Sequence, residues 1–268
     1  MNYKIIAMDL DGTLTNSDKI ITPKTKEILM EAQKQGIKVV LASGRPNRGI
    51  YKLEKELELK KYGGYILPYN GGQIVECATG KILYSKTIPA DVAQRIVALA
   101  RIFYANLVTY KEENLLCLEK YDMYADIEAK INDMTTVQPD NYEDTIKTFD
   151  VPKFIMLEDE HHLVRIQNYI KPVLEDYCEC FTSAPYFLEI TPKGIDKGHS
   201  LFHLLKHLGM EHSDLIAFGD GMNDMSMLQF AGLGVCMENG RDELKKAADY
   251  VTLSNDNDGI AHALKKFL

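Results

Sequence analysis

No stretch of this sequence is both long and apolar enough to cross a bilayer. The most apolar later run, Ile96 to Tyr104, is interrupted by Arg101 and falls well short of the roughly 20 residues a membrane helix needs. No signal peptide is expected either, because Met1-Asn2-Tyr3-Lys4 leads into a short apolar run that Asp9 stops. Both absences point to a soluble, cytoplasmic chain with no membrane partner. Positive charge is in short supply: the formal net charge is -8, which opposes binding to nucleic acid or to an anionic membrane. A small phosphorylated partner is still compatible, provided that a metal and a few cations reverse the field locally. Cysteine is sparse and unpaired in number, with five residues and no CxxC spacing, which suits reduced thiols. Cys178 and Cys180 read either as a redox pair or as alternate positions on one strand, and the second fits their surroundings better. The seven histidines lack an HExxH pattern and read as surface or core residues rather than zinc ligands. Repeats and low-complexity tracts are also absent.

What is present is ordinary globular material, 46% hydrophobic and 26% charged, so a sizeable core can form. At 268 residues, two moderate domains are expected rather than three. Short, nearly continuous apolar runs at Ile5 to Met8, Ile37 to Ala42, Tyr65 to Leu67, Leu215 to Phe218 and Leu233 to Val235 have the pattern of parallel strands buried on both faces. Helical stretches fall between them; Thr22-Pro23 supplies a cap and a first-turn proline, and Gly36 a stop. The fold class is therefore α/β, a doubly wound parallel sheet with a Rossmann-like core. From about Leu83 to Ile190 the pattern changes to antiparallel strands and helices, beginning with a strand at Ile82 to Ile88 and ending in a hairpin from Cys178 to Ile190. The expected organisation is a discontinuous core, residues 1–82 and 191–268, with an inserted α+β cap domain at 83–190. Two chain crossings would let the insert open and close over the core's crevice.

The apolar runs end in polar residues: Asp9, Ser43, Asn70 after Pro68 and Tyr69, and Asp220 after Gly219. Open parallel sheets bind ligands beyond the carboxyl ends of their strands, so these four are expected to line one crevice. In Asp9-Leu10-Asp11-Gly12-Thr13, two carboxylates separated by one residue can enter one site, and Gly12 removes the steric obstacle to the turn. One carboxylate near a metal can attack phosphorus while its neighbour donates and accepts a proton; the bland alternative is an exposed Asp-Gly turn. In Gly219-Asp220-Gly221-Met222-Asn223-Asp224, Asp220 is the expected direct ligand to Mg2+, which prefers oxygen donors. Asn223 either favours an anion at the helix start or merely caps it. Ser43-Gly44-Arg45-Pro46 resembles a phosphate cradle but is also a common loop. Lys197, opening a helix that Gly209 ends, either neutralises a phosphoryl oxygen or is simply solvated.

The ordered set Asp9-x-Asp11-Gly12-Thr13, Ser43-Gly44-Arg45, Lys197 and Gly219-Asp220-x-x-Asn223-Asp224 closely resembles the haloacid dehalogenase superfamily. Asn70-Gly71-Gly72 and the position of the insert, between the second and third motifs, point further to the Cof-like sugar-phosphatase branch. The resemblance implies Asp9 as nucleophile and metal ligand, and Asp11 as general acid and base whose backbone carbonyl also binds Mg2+. It implies Asp220 as the remaining protein ligand, with Asp224 behind it. Ser43, Gly44, Lys197, Asn223 and the Leu10 backbone N–H would hold phosphoryl oxygens. The implied activity is Mg2+-dependent hydrolysis of a small phosphorylated metabolite, a sugar phosphate above all, through an aspartyl-phosphate on Asp9. A phosphosugar mutase and a non-catalytic phosphometabolite-binding protein are the rival readings. Specificity is expected from the cap, and a monomer is the expected assembly, with an oligomer as the alternative.

Overall fold

The computed structural model describes residues 3–119 and 122–268. Met1 and Asn2, part of the N-terminal segment read above, and Lys120 and Tyr121 lie outside the described residues. The chain divides into two compact units, Met1–Tyr84 with Asp196–Leu268, and Ser85–Ile195.

The first unit is built on an eight-stranded sheet. Its strands are β1 (Ile5–Met8), β2 (Lys38–Ala42), β3 (Tyr65–Leu67), β4 (Gln73–Glu76) and β5 (Ile82–Ser85). After the insert come β12 (Leu215–Gly219), β13 (Leu233–Cys236) and β14 (Tyr250–Val251). The order across the sheet is β14-β13-β12-β1-β2-β3-β4-β5. Pairing is parallel from β14 to β3 and turns antiparallel at β3–β4. From β1 the chain winds outward through β2 and β3, and from β12 it winds the opposite way through β13 and β14. The β1–β12 seam is thus the topological switch point, where the strand ends part and leave a crevice.

Both faces of this sheet are buried, which is why its strands read as unbroken apolar runs. One face (Ile6, Met8, Val39, Leu41, Phe218, Val235) packs against Leu29 of helix Pro23–Lys34, Ile50 of helix Asn47–Glu56 and Leu264 of helix Gly259–Phe267. The other (Ile5, Ala7, Val40, Ala42, Ala217) packs against Leu201, Leu204 and Leu205 of helix Lys197–Leu208 and Met227 of helix Met225–Phe230. The doubly wound α/β core is therefore as expected. Helix Pro23–Lys34 begins where Thr22 accepts a bond from the Thr25 N–H, with Pro23 in its first turn. It stops at Gln35, and Gly36 takes φ +91°, a conformation that costs glycine little.

The second unit carries a six-stranded sheet. Its strands are β6 (Asn106–Lys111), β7 (Asn114–Cys117), β8 (Thr135–Val137), β9 (Phe154–Leu157), β10 (Cys178–Ala184) and β11 (Phe187–Pro192), in the order β10-β11-β9-β6-β7-β8. All its pairs are antiparallel except β7–β8, which is parallel. A parallel pair needs a crossover, and helix Met123–Asn132 supplies it. Helices Ala90–Ile102 and Glu160–Leu174 bury Val92, Ile96, Val97, Ile166 and Ile170 against Leu107, Phe154, Met156 and Leu188. Cys178 and Cys180 are free, buried and two positions apart on β10.

Two sequence readings need correction. The strand expected at Ile82 to Ile88 ends at Ser85 and joins the sheet of the first unit as its edge, not the inserted unit. Short elements at Leu59–Tyr62, Gln73–Glu76, Thr135–Val137, Tyr142–Thr145 and Tyr250–Val251 were not anticipated. At two to four residues each, they are too short to show a period. Among the described residues, no helix is long and apolar enough to cross a membrane.

Candidate active site

The site begins where β1 stops. The Asp9 N–H donates to the Phe218 carbonyl at 3.1 Å, extending the β1–β12 ladder by one residue and setting Asp9 beside the end of β12. The chain then coils tightly: Leu14 N–H bonds Asp9 O at 3.2 Å, and Thr15 N–H bonds Leu10 O at 2.9 Å. Gly12, at φ +82°, makes the coil possible. A Cβ there would also lie 2.5 Å from Asp220 Oδ2, so the position demands glycine for space as well as for conformation. Gly12→Ala is expected to cost about 2 kcal/mol or more, the scale of a forced backbone outlier with a clash. A urea titration checks it, and unchanged stability would show that the turn is not required.

Beyond β12, the chain forms a 3-10 turn at Met222–Asp224 that folds the Asp224 carboxylate back beneath Asp220. Asp224 Oδ2 accepts from the N–H groups of Asp220 at 3.0 Å and Gly221 at 2.9 Å. Its Oδ1 accepts from Lys197 Nζ at 2.6 Å. Lys197 also donates to Asp9 Oδ1 at 2.5 Å. This lysine is fully buried in the first turn of its helix, whose N-cap Asp196 accepts from His199 N–H at 2.8 Å. Asp220 is fixed by Thr13, whose hydroxyl donates to its Oδ1 at 2.6 Å.

One oxygen from each of Asp9, Asp220 and Asp224 lies within 4.8 Å of the others. Set against the single Lys197 ammonium, three ionised carboxylates leave an excess of two negative charges in a largely buried place. Burial favours the neutral acid, and Asp224 and Asp220 repel further charge, so Asp9 is pushed up to about 7 although Lys197 opposes the shift. Burial raises Asp220 too, against the hydrogen bond from Thr13. Lys197 is held charged: burial disfavours its cation, but Asp224 and Asp9 outweigh that and raise its pKa. Carboxylates gathered this closely, offering oxygen donors, fit a hard divalent cation such as Mg2+.

Asp11 is not one of the three clustered carboxylates. Its Oδ2 accepts from Arg45 Nε at 2.8 Å, and its Oδ1 from Arg45 Nη2 at 2.7 Å and Lys19 Nζ at 2.9 Å. Burial pushes this carboxyl up, but the two cations overcome it and hold the pKa below the usual value. Arg45, whose role the sequence left open, therefore forms a two-point clamp on Asp11.

The remaining strand-end residues are bonded into a chain. Ser43 is buried, and its carbonyl accepts from Asn70 N–H at 2.8 Å while its hydroxyl accepts from Arg45 N–H at 3.2 Å. Asn70, at φ +56°, presents Oδ1 to Asn223 Nδ2 at 3.2 Å. Its side chain lies so near Gly44 that a Cβ on that glycine would meet it at 3.3 Å. Leu10 is buried in the core, and its carbonyl also accepts the Thr15 hydroxyl at 3.0 Å. Asn239 went unnoticed in the sequence; its side chain donates to the Gly12 carbonyl at 2.7 Å, across 227 residues of chain.

Fold and site together define an α/β enzyme whose acidic centre lies at the switch point of its sheet. A family profile described as haloacid dehalogenase-like hydrolase matches residues 6–264. A haloacid dehalogenase-like hydrolase from Bacteroides thetaiotaomicron, known from its crystal structure, is 41% identical and superposes with a TM-score of 0.95 over 100% of both chains. A solved subclass IIB sugar phosphatase of the same superfamily is 27% identical, with a TM-score of 0.80 over 98% of each chain. A Streptococcus pyogenes serotype M6 protein, provisionally named a phosphatase, is 32% identical over 100% of this chain and 99% of its own length. A Bacillus subtilis protein named 5-amino-6-(5-phospho-D-ribitylamino)uracil phosphatase is 28% identical over 99% of this chain and 98% of its own. The chain belongs to the haloacid dehalogenase-like hydrolases, in their Cof-like branch.

Proposed function

We propose that this haloacid dehalogenase-type phosphatase hydrolyses the phosphate monoester of a small polyhydroxylated metabolite, a sugar phosphate in the first instance, through an aspartyl-phosphate on Asp9. The observation that carries the reading is the buried Lys197 ammonium between Asp9 and Asp224, with Asp220 within ligand-sharing range of both. The relatives support the substrate class, since one is named a sugar phosphatase and another acts, by its name, on a phosphoribityl compound.

An Asp9 oxygen attacks phosphorus, the ester P–O bond breaks, and the leaving alkoxide takes a proton from Asp11. Asp11, now ionised, accepts a proton from water as that water attacks the phosphoryl group. The P–O bond to Asp9 then breaks, releasing inorganic phosphate and restoring both side chains. For this, Asp11 must be loosened from Arg45 and Lys19 and gain a proton, and a phosphate dianion competing for the two cations would assist the release. Lys197, Ser43, Gly44, Asn223 and the Leu10 N–H hold the phosphoryl oxygens. Asp9, Asp220 and the Asp11 carbonyl would hold Mg2+, while Asp224, engaged at both oxygens, secures Lys197 and the Asp220 loop. When bound, the cation offsets the repulsion between the Asp9 carboxylate and the phosphate dianion. Substrate selection we assign to the inserted unit.

Phosphate release across a panel of hexose phosphates, phosphoribityl compounds, nucleotides, pyridoxal phosphate and flavin mononucleotide tests this. Activity is expected on a subset, lost in excess chelator and restored by Mg2+; full activity in chelator would overturn the metal assignment. The pH response has a definite sign. Asp9, raised to about 7 without metal, must lose a proton to bind a cation, so cation affinity should climb with pH up to about 7 and level off above it. Calorimetry at pH 6 should show proton release on Mg2+ binding that fades by pH 8.5.

A further inference from the structure

We infer that Asn239 is a positioning residue that sets the separation of the two loops bearing the cation-binding carboxylates. The inference rests on the reading of Asp9 and Asp220 as cation ligands. Asn239 lies on the turn after β13, and that turn is tied to the Asp220 loop by its backbone. Met237 N–H donates to Gly219 O and Arg241 N–H to Asp220 O, each at 3.0 Å. The approach is close, since a Cβ on Gly240 would come within 3.2 Å of the Asp220 Cα. From this turn the Asn239 carboxamide reaches the other loop, donating to the Gly12 carbonyl at 2.7 Å. The turn thus joins the Asp220 loop, through the backbone of Met237 and Arg241, to the Asp9 loop, through the side chain of Asn239.

The carboxamide is itself oriented. Its Oδ1 accepts from the Asn255 N–H at 3.0 Å, which leaves Nδ2 to face Gly12. Asn255 in turn donates through Nδ2 to the Thr15 carbonyl at 2.9 Å, so the two amides hold the Asp9 loop at two points. Fixing the Gly12 carbonyl fixes the plane of the Gly12–Thr13 peptide, and with it Thr13, whose hydroxyl holds Asp220. The loop with Asp9 and the loop with Asp220 are therefore joined twice, by Thr13 on one side and by Asn239 on the other. Farther out, Ser17 bonds Asp256 through its N–H and its hydroxyl, each at 2.8 Å, fastening the same loop away from the carboxylates.

Asn239 is exposed, and replacing an exposed polar side chain ordinarily changes stability little. A structural role and a positioning role therefore give different results. The measurement is Mn2+ binding to the full chain, followed by the electron paramagnetic resonance of the free ion, so it does not depend on turnover. Asn239→Ala is expected to weaken Mn2+ binding about tenfold, the scale seen when a residue orienting a ligand is removed. The melting temperature of the metal-free protein should stay near that of the wild type. Asn255→Ala should weaken binding by a smaller factor, and Ser17→Ala should leave it unchanged. Wild-type Mn2+ affinity in Asn239→Ala would overturn the inference, as would an equal loss in Ser17→Ala. Should Asn239→Ala fail to fold, Asn255→Ala decides, and unaltered affinity there would overturn it. Asp220→Asn separates the two levels: if it binds Mn2+ like the wild type, the site reading itself fails. If it loses Mn2+ while Asn239→Ala does not, only the positioning role fails.

Discussion

Asp9→Asn is expected to lower turnover by four orders of magnitude or more, on the order of what removal of a covalent nucleophile costs. The two side chains have the same shape, and the backbone bond from residue 9 to Phe218 O does not involve the side chain, so the ladder is retained. The amide oxygen of the variant can still accept from Lys197, but it cannot form the acyl phosphate. The variant should therefore keep its fold and its metal-dependent binding of substrate while failing to release phosphate. Acid-quenched wild-type enzyme should show a phosphate mass added to the peptide containing Asp9, and the variant should show none. Near-normal phosphate release from the variant would end the assignment of Asp9.

The fold was legible in the sequence where physics writes it in long runs. Strands buried on both faces cannot afford polar residues, so Ile5–Met8 and Leu215–Gly219 stand out, and their abrupt ends at Asp9 and Asp220 mark the switch point. The hairpin read from Cys178 to Ile190, with its turn at Ala184-Pro185, was legible too; its strands run Cys178–Ala184 and Phe187–Pro192, so the turn falls one residue later, at Pro185 and Tyr186. Ile82–Ser85 was assigned to the wrong sheet because a short amphipathic strand does not record which neighbour it pairs with; that depends on Gln73–Glu76, which went unrecognised. At the site, motif spacing singled out Asp9, Lys197, Asp220 and Asp224, which lie together, but not how each is held. A lysine in a first helical turn is usually solvated, and nothing local shows that Lys197 is completely buried between two carboxylates. The Arg45 clamp on Asp11 and the Asn239 bond to Gly12 span 34 and 227 residues, separations at which a single sequence carries no signal.

Lys197→Met is expected to cost about 3 kcal/mol of stability at pH 8 and to abolish activity. Methionine fills nearly the same volume, so packing is largely kept and the charge is what is lost. Removing one partner of a buried ion pair leaves the other uncompensated, which costs roughly 3–5 kcal/mol. Here two carboxylates, Asp9 and Asp224, lose their shared ammonium together. The loss must depend on pH, and its sign follows from Asp9. A carboxyl whose folded pKa lies above its unfolded value stabilises the fold when protonated, and that contribution disappears as pH rises through the folded pKa. In the wild type without metal this occurs near pH 7. Without the lysine, the Asp9 pKa should move higher still, because the cation that opposed the shift is gone. At pH 5.5 Asp9 then carries its proton and forgoes little, so the variant should lie closer to wild type than at pH 8. Mg2+ should recover part of the deficit at pH 8 by supplying positive charge to the same carboxylates. Urea titrations at the two pH values measure the difference, and an equal deficit at both would show that Lys197 acts by packing rather than by charge.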